Sequence, residues 1–156
     1  MAIFTPERSL NYLQKTTVVL RHIFKDMTTE QATQLAPGVS GWNALEVMGH
    51  LVDLEEIFTV RVRRMLTENK PEFEKTDPDD MAIKHDYAHQ DIQDMLDRFL
   101  QLRREFIMLL KSLRPDEWER RGVHPNYGVI SVLDLATNTA LHDLNHLGQI
   151  SEALGL

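Results

Sequence analysis

Three histidines have the residue type and the spacing of metal ligands. His142 and His146 are four residues apart, and His50 lies far upstream. On a helix, residues four apart have Cβ atoms about 5–6 Å from each other, so both imidazoles can reach one ion. A single buried histidine more often hydrogen-bonds a neighbour, but three with compatible spacing favour a metal. The chain has no cysteine, so nitrogen and oxygen atoms alone would bind such an ion.

Three protein ligands leave at least one coordination position of a divalent ion for water or substrate, as in catalytic sites. The ion lowers the pKa of a bound water or thiol and supplies a nucleophile near neutral pH. We therefore predict hydrolysis of a small molecule, or a thiol transfer. Imidazole suits several metals; zinc and nickel are the first candidates, with iron and manganese after them.

Polar side chains accompany these histidines. Glu46 and Asp53 lie one helical turn before and after His50, where they could fix the tautomer of its ring or act as a base. We take both as candidate catalytic groups. Asp143 and Gln149 accompany the C-terminal pair in the same way, although a surface position explains Asp143 equally well.

Four other residues are weaker candidates. A second pair with the same spacing, His85 and His89, has charged neighbours and is predicted to be a solvated helix start. His124 lies in a loop and is expected at the surface, from where it could approach the mouth of a pocket. Arg61 shares the stripe of His50, and a guanidinium on an inward stripe is expected only beyond the end of the core or against an anionic ligand.

Four segments repeat apolar residues at alternating spacings of three and four, which is the period of an amphipathic helix. Start signals precede the first and the last: Thr5-Pro6-Glu7 has the pattern of an N-cap, and Ser131 with Asp134 fits a capping box. No segment of convincing length has the period of a strand. The predicted helices cover about residues 6–27, 42–67, 92–113 and 132–153, and residues 114–128 have loop chemistry.

These helices predict an all-α fold, a four-helix bundle in one domain over residues 1–156. The connection from Glu68 to Asp86 is long and contains two prolines, so helices two and three can run parallel through a crossover. We predict an up-down-down-up order. Antiparallel packing of helices two and four would then place His50 level with the C-terminal pair.

The charge and the N-terminal sequence exclude several classes of protein. A formal charge of -7 at pH 7 repels phosphate backbones and disfavours nucleic-acid binding. The opening MAIFTPERSL lacks the basic start and the apolar run of a signal peptide, and no run of roughly 18 apolar residues predicts a membrane span. We expect a soluble, cytoplasmic protein with no membrane partner.

The segments GWNALEVMGHL and HPNYGVISVLDLATNTALHDLNHLGQI together resemble the DinB/YfiT-like superfamily, and the resemblance covers nearly the whole chain. It implies a four-helix bundle that binds a metal through His50, His142 and His146. Characterised members imply metal-dependent hydrolysis, S-transfer with bacillithiol, mycothiol or glutathione, or a mycothiol-dependent maleylpyruvate isomerisation. They also imply a homodimer. Asn145 stands where many members have another residue, which leaves the three ligands intact.

Two alternatives stay open. A non-catalytic bundle, either a stress-linked metal binder or a dimerising scaffold, would hold an ion without turnover. A DNA-repair binder, suggested by the damage-inducible name of the family, conflicts with the negative charge. No substrate contact can be carried over from the family, so the substrate and the thiol are not predicted.

Overall fold

Four long helices form the bundle in the computed structural model, which describes residues 3–156. They are α1 (Pro6–Phe24), α3 (Ala44–Thr67), α5 (Ile92–Lys111) and α6 (Val132–Leu154). The shorter elements are α2 (Thr29–Thr33), α4 (Pro78–Lys84), β1 (Arg121–His124), β2 (Gly128–Ser131) and the 3-10 turns Tyr87–His89 and Glu117–Glu119. The predicted all-α four-helix bundle is confirmed.

Local capping explains where the helices of the site begin. Asn43 and Glu46 form a reciprocal capping box at the start of α3, each side chain accepting the backbone N–H of the other at 3.0 Å. Ser131 and Asp134 form the predicted capping box of α6. Because these boxes satisfy N–H groups that a helix start leaves unpaired, they set the first residue of each helix.

Hydrogen bonds between the helices establish their directions. α1 runs parallel to α6, since Ser9 contacts Thr137 and Thr16 contacts Asp143 further along both helices. α1 runs antiparallel to α5, because Gln93 in the first turn of α5 donates to the Phe24 carbonyl at the end of α1, at 2.8 Å.

α3 runs antiparallel to α6. Arg120 donates through Nε to the Met65 carbonyl near the end of α3, at 2.8 Å, and its own carbonyl accepts the N–H of Val132 at the start of α6. Together these three relations give the predicted up-down-down-up order, with a long crossover between α3 and α5.

The crossover packs back onto α3 beside His50. It contains α4, a short helix capped by the Asp77 side chain with Pro78 in its first turn. The Tyr87 ring that follows lies against Gly49, where an added Cβ would come within 2.6 Å of the ring. A glycine one residue before His50 is therefore what allows this close approach.

Two local features differ from the sequence-based expectation. The stretch before α6 contains a hairpin, in which Val123 pairs with Val129 and also exchanges backbone hydrogen bonds with Pro71 and Phe73 of the crossover. Strands of four residues are too short to show the period of a strand. α1 ends at Phe24 rather than at residue 27, and the short α2 follows.

Within residues 3–156, no helix combines the length and the low polarity needed to cross a membrane.

Candidate metal centre

The three predicted histidines meet where α3 faces α6. The Nε2 atom of His142 lies 3.2 Å from Nε2 of His50 and 3.0 Å from Nε2 of His146. One ring nitrogen from each residue lies within 4.8 Å of the others. Two ligands of a tetrahedral zinc ion, each about 2.0–2.1 Å from the metal, are about 3.3 Å apart. The arrangement therefore has the dimensions of three ligands on one side of an ion.

The second ring nitrogens agree with this geometry. Nδ1 of His146 lies 2.8 Å from the amide oxygen of Gln149, so Nδ1 carries the proton and Nε2 keeps its lone pair. Nδ1 of His50 and Nδ1 of His142 are buried without a hydrogen-bond partner among residues 3–156. With the proton on Nδ1 in all three rings, the three Nε2 lone pairs would converge on one point, so the residues fit a bound cation.

The surroundings keep the rings neutral, as metal ligation requires. Burial lowers the pKa of His50 to about 3, and the nearby rings of His146 and His142 add to the effect. The pKa of His142 is also lowered to about 3, first by burial and then by the charges of His146 and Arg103. Burial lowers the pKa of His146 as well.

Aromatic side chains enclose part of the cluster. The Trp42 ring lies 5.3 Å from the His50 ring, centroid to centroid, and Phe58 meets the His142 ring edge-on at 5.8 Å. His50 is buried, whereas His142 and His146 are half-buried. The cluster is thus shielded on the α3 side and more open along α6.

A family comparison agrees with this architecture. The model of the DinB superfamily matches residues 12–150 of the chain. The chain belongs to the DinB superfamily.

Individual relatives of this DinB-superfamily chain extend the comparison. A protein from Oceanobacillus iheyensis with the provisional name of a metal-dependent hydrolase is 28% identical over 143 residues, covering 91% of this chain and 81% of that protein. The structure of YfiT from Bacillus subtilis, described as a probable metal-dependent hydrolase with an unusual four-helix bundle topology, has a TM-score of 0.80 at 22% identity. It covers 99% of this chain and 90% of YfiT.

A more distant structure is that of the mycothiol-dependent maleylpyruvate isomerase, with a TM-score of 0.70 at 8% identity. The match covers 96% of this chain and 66% of the isomerase, so the isomerase has a further part that this chain does not match. At this identity the likeness shows a shared fold.

Asp53 contacts the crossover of the DinB bundle. Its Oδ2 atom accepts a hydrogen bond from the Tyr87 hydroxyl and lies 2.6 Å from Nδ1 of His85. Its charge acts to raise the pKa of His50. It therefore lies close enough to stabilise positive charge at that ring, while its hydrogen bonds go to the crossover.

Glu46 is occupied at the helix start, where Oε2 accepts the Asn43 N–H at 3.0 Å. Neither Glu46 nor Asp53 satisfies Nδ1 of His50, which has no partner among the residues described. Their action on a bound metal stays a prediction.

A buried ion cluster beside the histidines was missed by the sequence analysis. Arg103, which is 1% exposed, donates to Glu55 at 2.6 and 2.8 Å and to Asp143 at 2.7 and 3.0 Å. Asp143 is therefore buried and not on the surface. Burial alone would lower the pKa of Arg103, but Glu55 and Asp143 together raise it, so the guanidinium stays charged.

The signal for this cluster was present in the sequence. Ile92, Leu96, Phe99, Arg103, Phe106 and Leu110 follow one helical stripe, and all are buried. The spacing of Arg103 on an apolar stripe indicates burial, but the sequence does not reveal its partners on α3 and α6.

The other candidate histidines, His85, His89 and His124, lie outside the three-histidine cluster. Nδ1 of His89 lies 2.6 Å from the Asp86 carboxylate on the surface, and His85 faces Asp53, so their ring nitrogens have separate partners. The expected surface-loop position of His124 is wrong, because the residue is buried at the end of β1, where its Nε2 lies 3.1 Å from the Arg61 guanidinium. Arg61 shares a stripe of α3 with His50, but it contacts His124 and not the three-histidine cluster.

Proposed function

We propose that this chain is a metal-dependent enzyme in which His50, His142 and His146 bind one divalent ion through Nε2. The observation that carries the proposal is the convergence of three neutral imidazole nitrogens within 4.8 Å. The provisional name of the Oceanobacillus iheyensis relative and the description of YfiT support it, because both name a metal-dependent hydrolase. Zinc and nickel are the proposed metals, followed by iron and manganese.

The proposed reaction is hydrolysis of a small molecule or transfer of a low-molecular-weight thiol. A divalent ion bound at this site would act as an electrophile and lower the pKa of a bound water or thiol, so that the deprotonated nucleophile is available near neutral pH. Three protein ligands leave room for such a molecule. The name of the mycothiol-dependent isomerase, which shares the fold, supports a thiol as co-substrate.

The residues of the chain prepare the ligands for this chemistry. The Gln149 amide oxygen accepts a hydrogen bond from the Nδ1–H of His146 and so directs the Nε2 lone pair toward the cluster. We propose that Asp53 favours the cation through its charge, because the same charge opposes, in part, the lowering of the His50 pKa by burial and by the rings of His146 and His142. Glu46 acts through the start of α3, where its hydrogen bond to Asn43 fixes the helix that carries His50.

The assembly is proposed to be a cytoplasmic homodimer of one-domain chains spanning residues 1–156. Large apolar side chains exposed on α6 support the dimer, since Leu141 is 47% and Leu144 53% exposed. The same residues favour a second candidate function, a dimeric bundle that holds a metal without turnover. In that case the bound ion would have no exchangeable water or thiol position.

Metal analysis of protein purified without a histidine tag tests the proposal. We expect about one divalent ion per chain, lost in His142→Ala and retained in His89→Ala, a control that removes an exposed histidine. Failure of the wild-type protein to bind zinc, nickel, iron or manganese would contradict the proposal. The loaded protein is then assayed against thiols and electrophiles, and a thiol-induced change in the spectrum of the cobalt-substituted protein separates the enzyme from the non-catalytic bundle.

A further inference from the structure

A groove runs along one side of the bundle, between α1 and α5. These two helices pack against each other on this side, whereas α3 and α6, which carry the histidine cluster, pack against each other on the opposite side. Residues of α1 from Gln14 to Arg21 and residues of α5 from Leu100 to Lys111 line the groove, which has a volume of about 700 Å³. The groove and the proposed metal centre therefore use different faces of the bundle.

Exposed cations line the groove without carboxylates. Arg21, Arg104 and Lys111 are exposed, and no acidic residue is among those that line the groove. Within the described part of the chain, none of the three forms an ion pair. Glu105, which follows Arg104, accepts a hydrogen bond from Gln101 at 3.1 Å, outside the groove. On a chain with a net charge of -7, this local positive potential favours a negatively charged partner.

Apolar side chains line the same groove. Val18 of α1 is 60% exposed and Met108 of α5 is 64% exposed, while Leu100 and Ile107 are half-buried. Apolar surface that is exposed beside charged residues is a feature of interaction sites. A methionine side chain also adapts to the shape of its partner. The groove therefore suits a partner that has both apolar and acidic side chains.

The spacing of these residues fits a helix. Arg104 and Lys111 are seven residues apart on one face of α5, and so are Leu100 and Ile107, which places the members of each pair about 10.5 Å apart along the helix axis. A second helix lying along α5 presents its own residues i and i+7 at the same spacing. Because the side-chain ridges of a third helix fit the groove between two packed helices, its acids can meet both cations while its apolar residues reach Met108.

A second copy of this chain fits the groove less well. In a two-fold dimer through this face, Arg21, Arg104 and Lys111 of one protomer would face the same three cations of its partner. Like charges brought together at an interface are unfavourable, and no carboxylate that lines the groove compensates them. Charge complementarity therefore favours a different, acidic chain.

We propose that the groove between α1 and α5 binds an acidic amphipathic helix of a partner protein. Carboxylates of that helix pair with Arg21, Arg104 and Lys111, and its apolar face covers Val18 and Met108. The contact requires no metal, so it can be tested separately from the proposed function.

Labelled helical peptides of about 20 residues test the inference on the full chain. The acidic probe has leucines at positions i, i+3, i+4 and i+7, flanked by glutamates. The basic probe has lysines in place of the glutamates, and the scrambled probe has the composition of the acidic probe without the leucine stripe. By fluorescence anisotropy, the acidic probe is expected to saturate below about 1 mM and to bind at least about tenfold more tightly than the other two. No saturation by the acidic probe, or equal affinity for either of the others, would overturn the inference.

A charge reversal identifies the cations. Arg104→Glu is expected to weaken binding of the acidic probe at least about tenfold. Arg63→Glu is the matched control, because Arg63 is also an exposed cation without an ion pair in the described part of the chain, but lies on α3 outside the groove. Equal affinities of the two variants for the acidic probe would overturn the inference.

A second pair of variants tests the apolar contact. Val18→Ser is expected to weaken binding of the acidic probe at least about threefold, since it removes apolar surface that the partner covers. Val60→Ser is its control, because Val60 is 54% exposed on α3, outside the groove. Equal affinities in this pair would overturn the inference, and this comparison decides if Arg104→Glu does not fold.

Vesicles distinguish a partner helix from a lipid surface. If the wild-type chain sediments with phosphatidylserine-containing vesicles, loses this binding in Arg104→Glu and does not bind the acidic probe, the inference is wrong and the groove recognises an anionic membrane. Saturable binding of the acidic probe without sedimentation on the vesicles supports the partner helix.

Discussion

Arg103 of α5 donates two hydrogen bonds to Asp143 of α6, and Asp143 directly follows the proposed ligand His142. The same guanidinium binds Glu55 on α3, and its Nη1 lies 3.4 Å from the Thr16 hydroxyl on α1. This polar layer lies between the two apolar clusters of the bundle. One side chain therefore joins all four long helices at the level of the proposed metal centre.

Removal of this arginine should be strongly destabilising. In Arg103→Met, the carboxylates of Glu55 and Asp143 remain buried without their partner, and we expect a loss of about 3–5 kcal/mol in the free energy of unfolding. Arg104→Met, which changes an exposed neighbour, should alter it by no more than about 0.5 kcal/mol. Urea denaturation measures both. A loss below about 1 kcal/mol for Arg103→Met would show that the cluster is not what joins the helices.

Interactions between residues close together in the chain could be predicted from the sequence, whereas interactions between distant residues could not. The capping box of Ser131 and Asp134 involves residues three apart, so the start of α6 could be predicted. The spacing of His142 and His146 likewise follows from one helix. The bond between Arg103 and Asp143 joins residues 40 apart in the chain, and no local pattern specifies which buried acid an arginine meets.

The crossover illustrates the same limit. Pro71 and Pro78 identify a connection, but nothing local indicates that Tyr87 packs on Gly49 and donates to Asp53. The hairpin was missed because its strands of four residues are too short to show the period of a strand, and part of its backbone pairing is with the crossover.

The metal-free protein should lose stability as the pH falls below about 6.5. His50 and His142 have pKa values of about 3 in the folded chain, against about 6.5 when unfolded. Between these values the unfolded state binds more protons, so the free energy of unfolding rises with pH through this window and falls on acidification. Urea denaturation at about pH 7.5, 6.5, 5.5 and 4.5 measures the slope of the free energy of unfolding against pH.

A double variant isolates the histidine contribution. The metal-free double variant His50→Gln, His142→Gln should show a shallower slope between about pH 6.5 and 4.5, because two groups that titrate only in the unfolded state are gone. An unchanged slope would mean that other groups dominate. His22→Gln, which replaces an exposed histidine on α1, serves as the control.

Gln149 should control metal affinity without controlling the fold. Its amide oxygen accepts a hydrogen bond from the Nδ1–H of His146, and loss of such a partner typically weakens metal binding about 10–100-fold. We expect Gln149→Leu to lose zinc to a competing chelator at correspondingly lower chelator concentrations. Asn145→Leu, a change at an exposed neighbour, should retain wild-type affinity. Equal affinities of the two variants would contradict the role given to Gln149.

Gly49 should not tolerate a side chain, because the Tyr87 ring occupies the space that a Cβ would need. A Cβ at Gly49 would lie 2.6 Å from a ring carbon of Tyr87, so Gly49→Ala must displace the ring and should cost about 1–3 kcal/mol. Gly148→Ala is the matched control, a helical glycine with no heavy atom within 4 Å of the added Cβ. It should stabilise the chain by about 0.5–1 kcal/mol, since alanine loses less backbone entropy in a helix.

A second substitution tests whether the clash with the Tyr87 ring is what makes Gly49→Ala destabilising. If the clash with the ring is responsible, Tyr87→Leu should make Gly49→Ala less destabilising, with a coupling of about 0.5–3 kcal/mol between two residues in contact. Urea denaturation of the four proteins in the cycle measures this coupling. Additive effects would place the cost of Gly49→Ala elsewhere in α3.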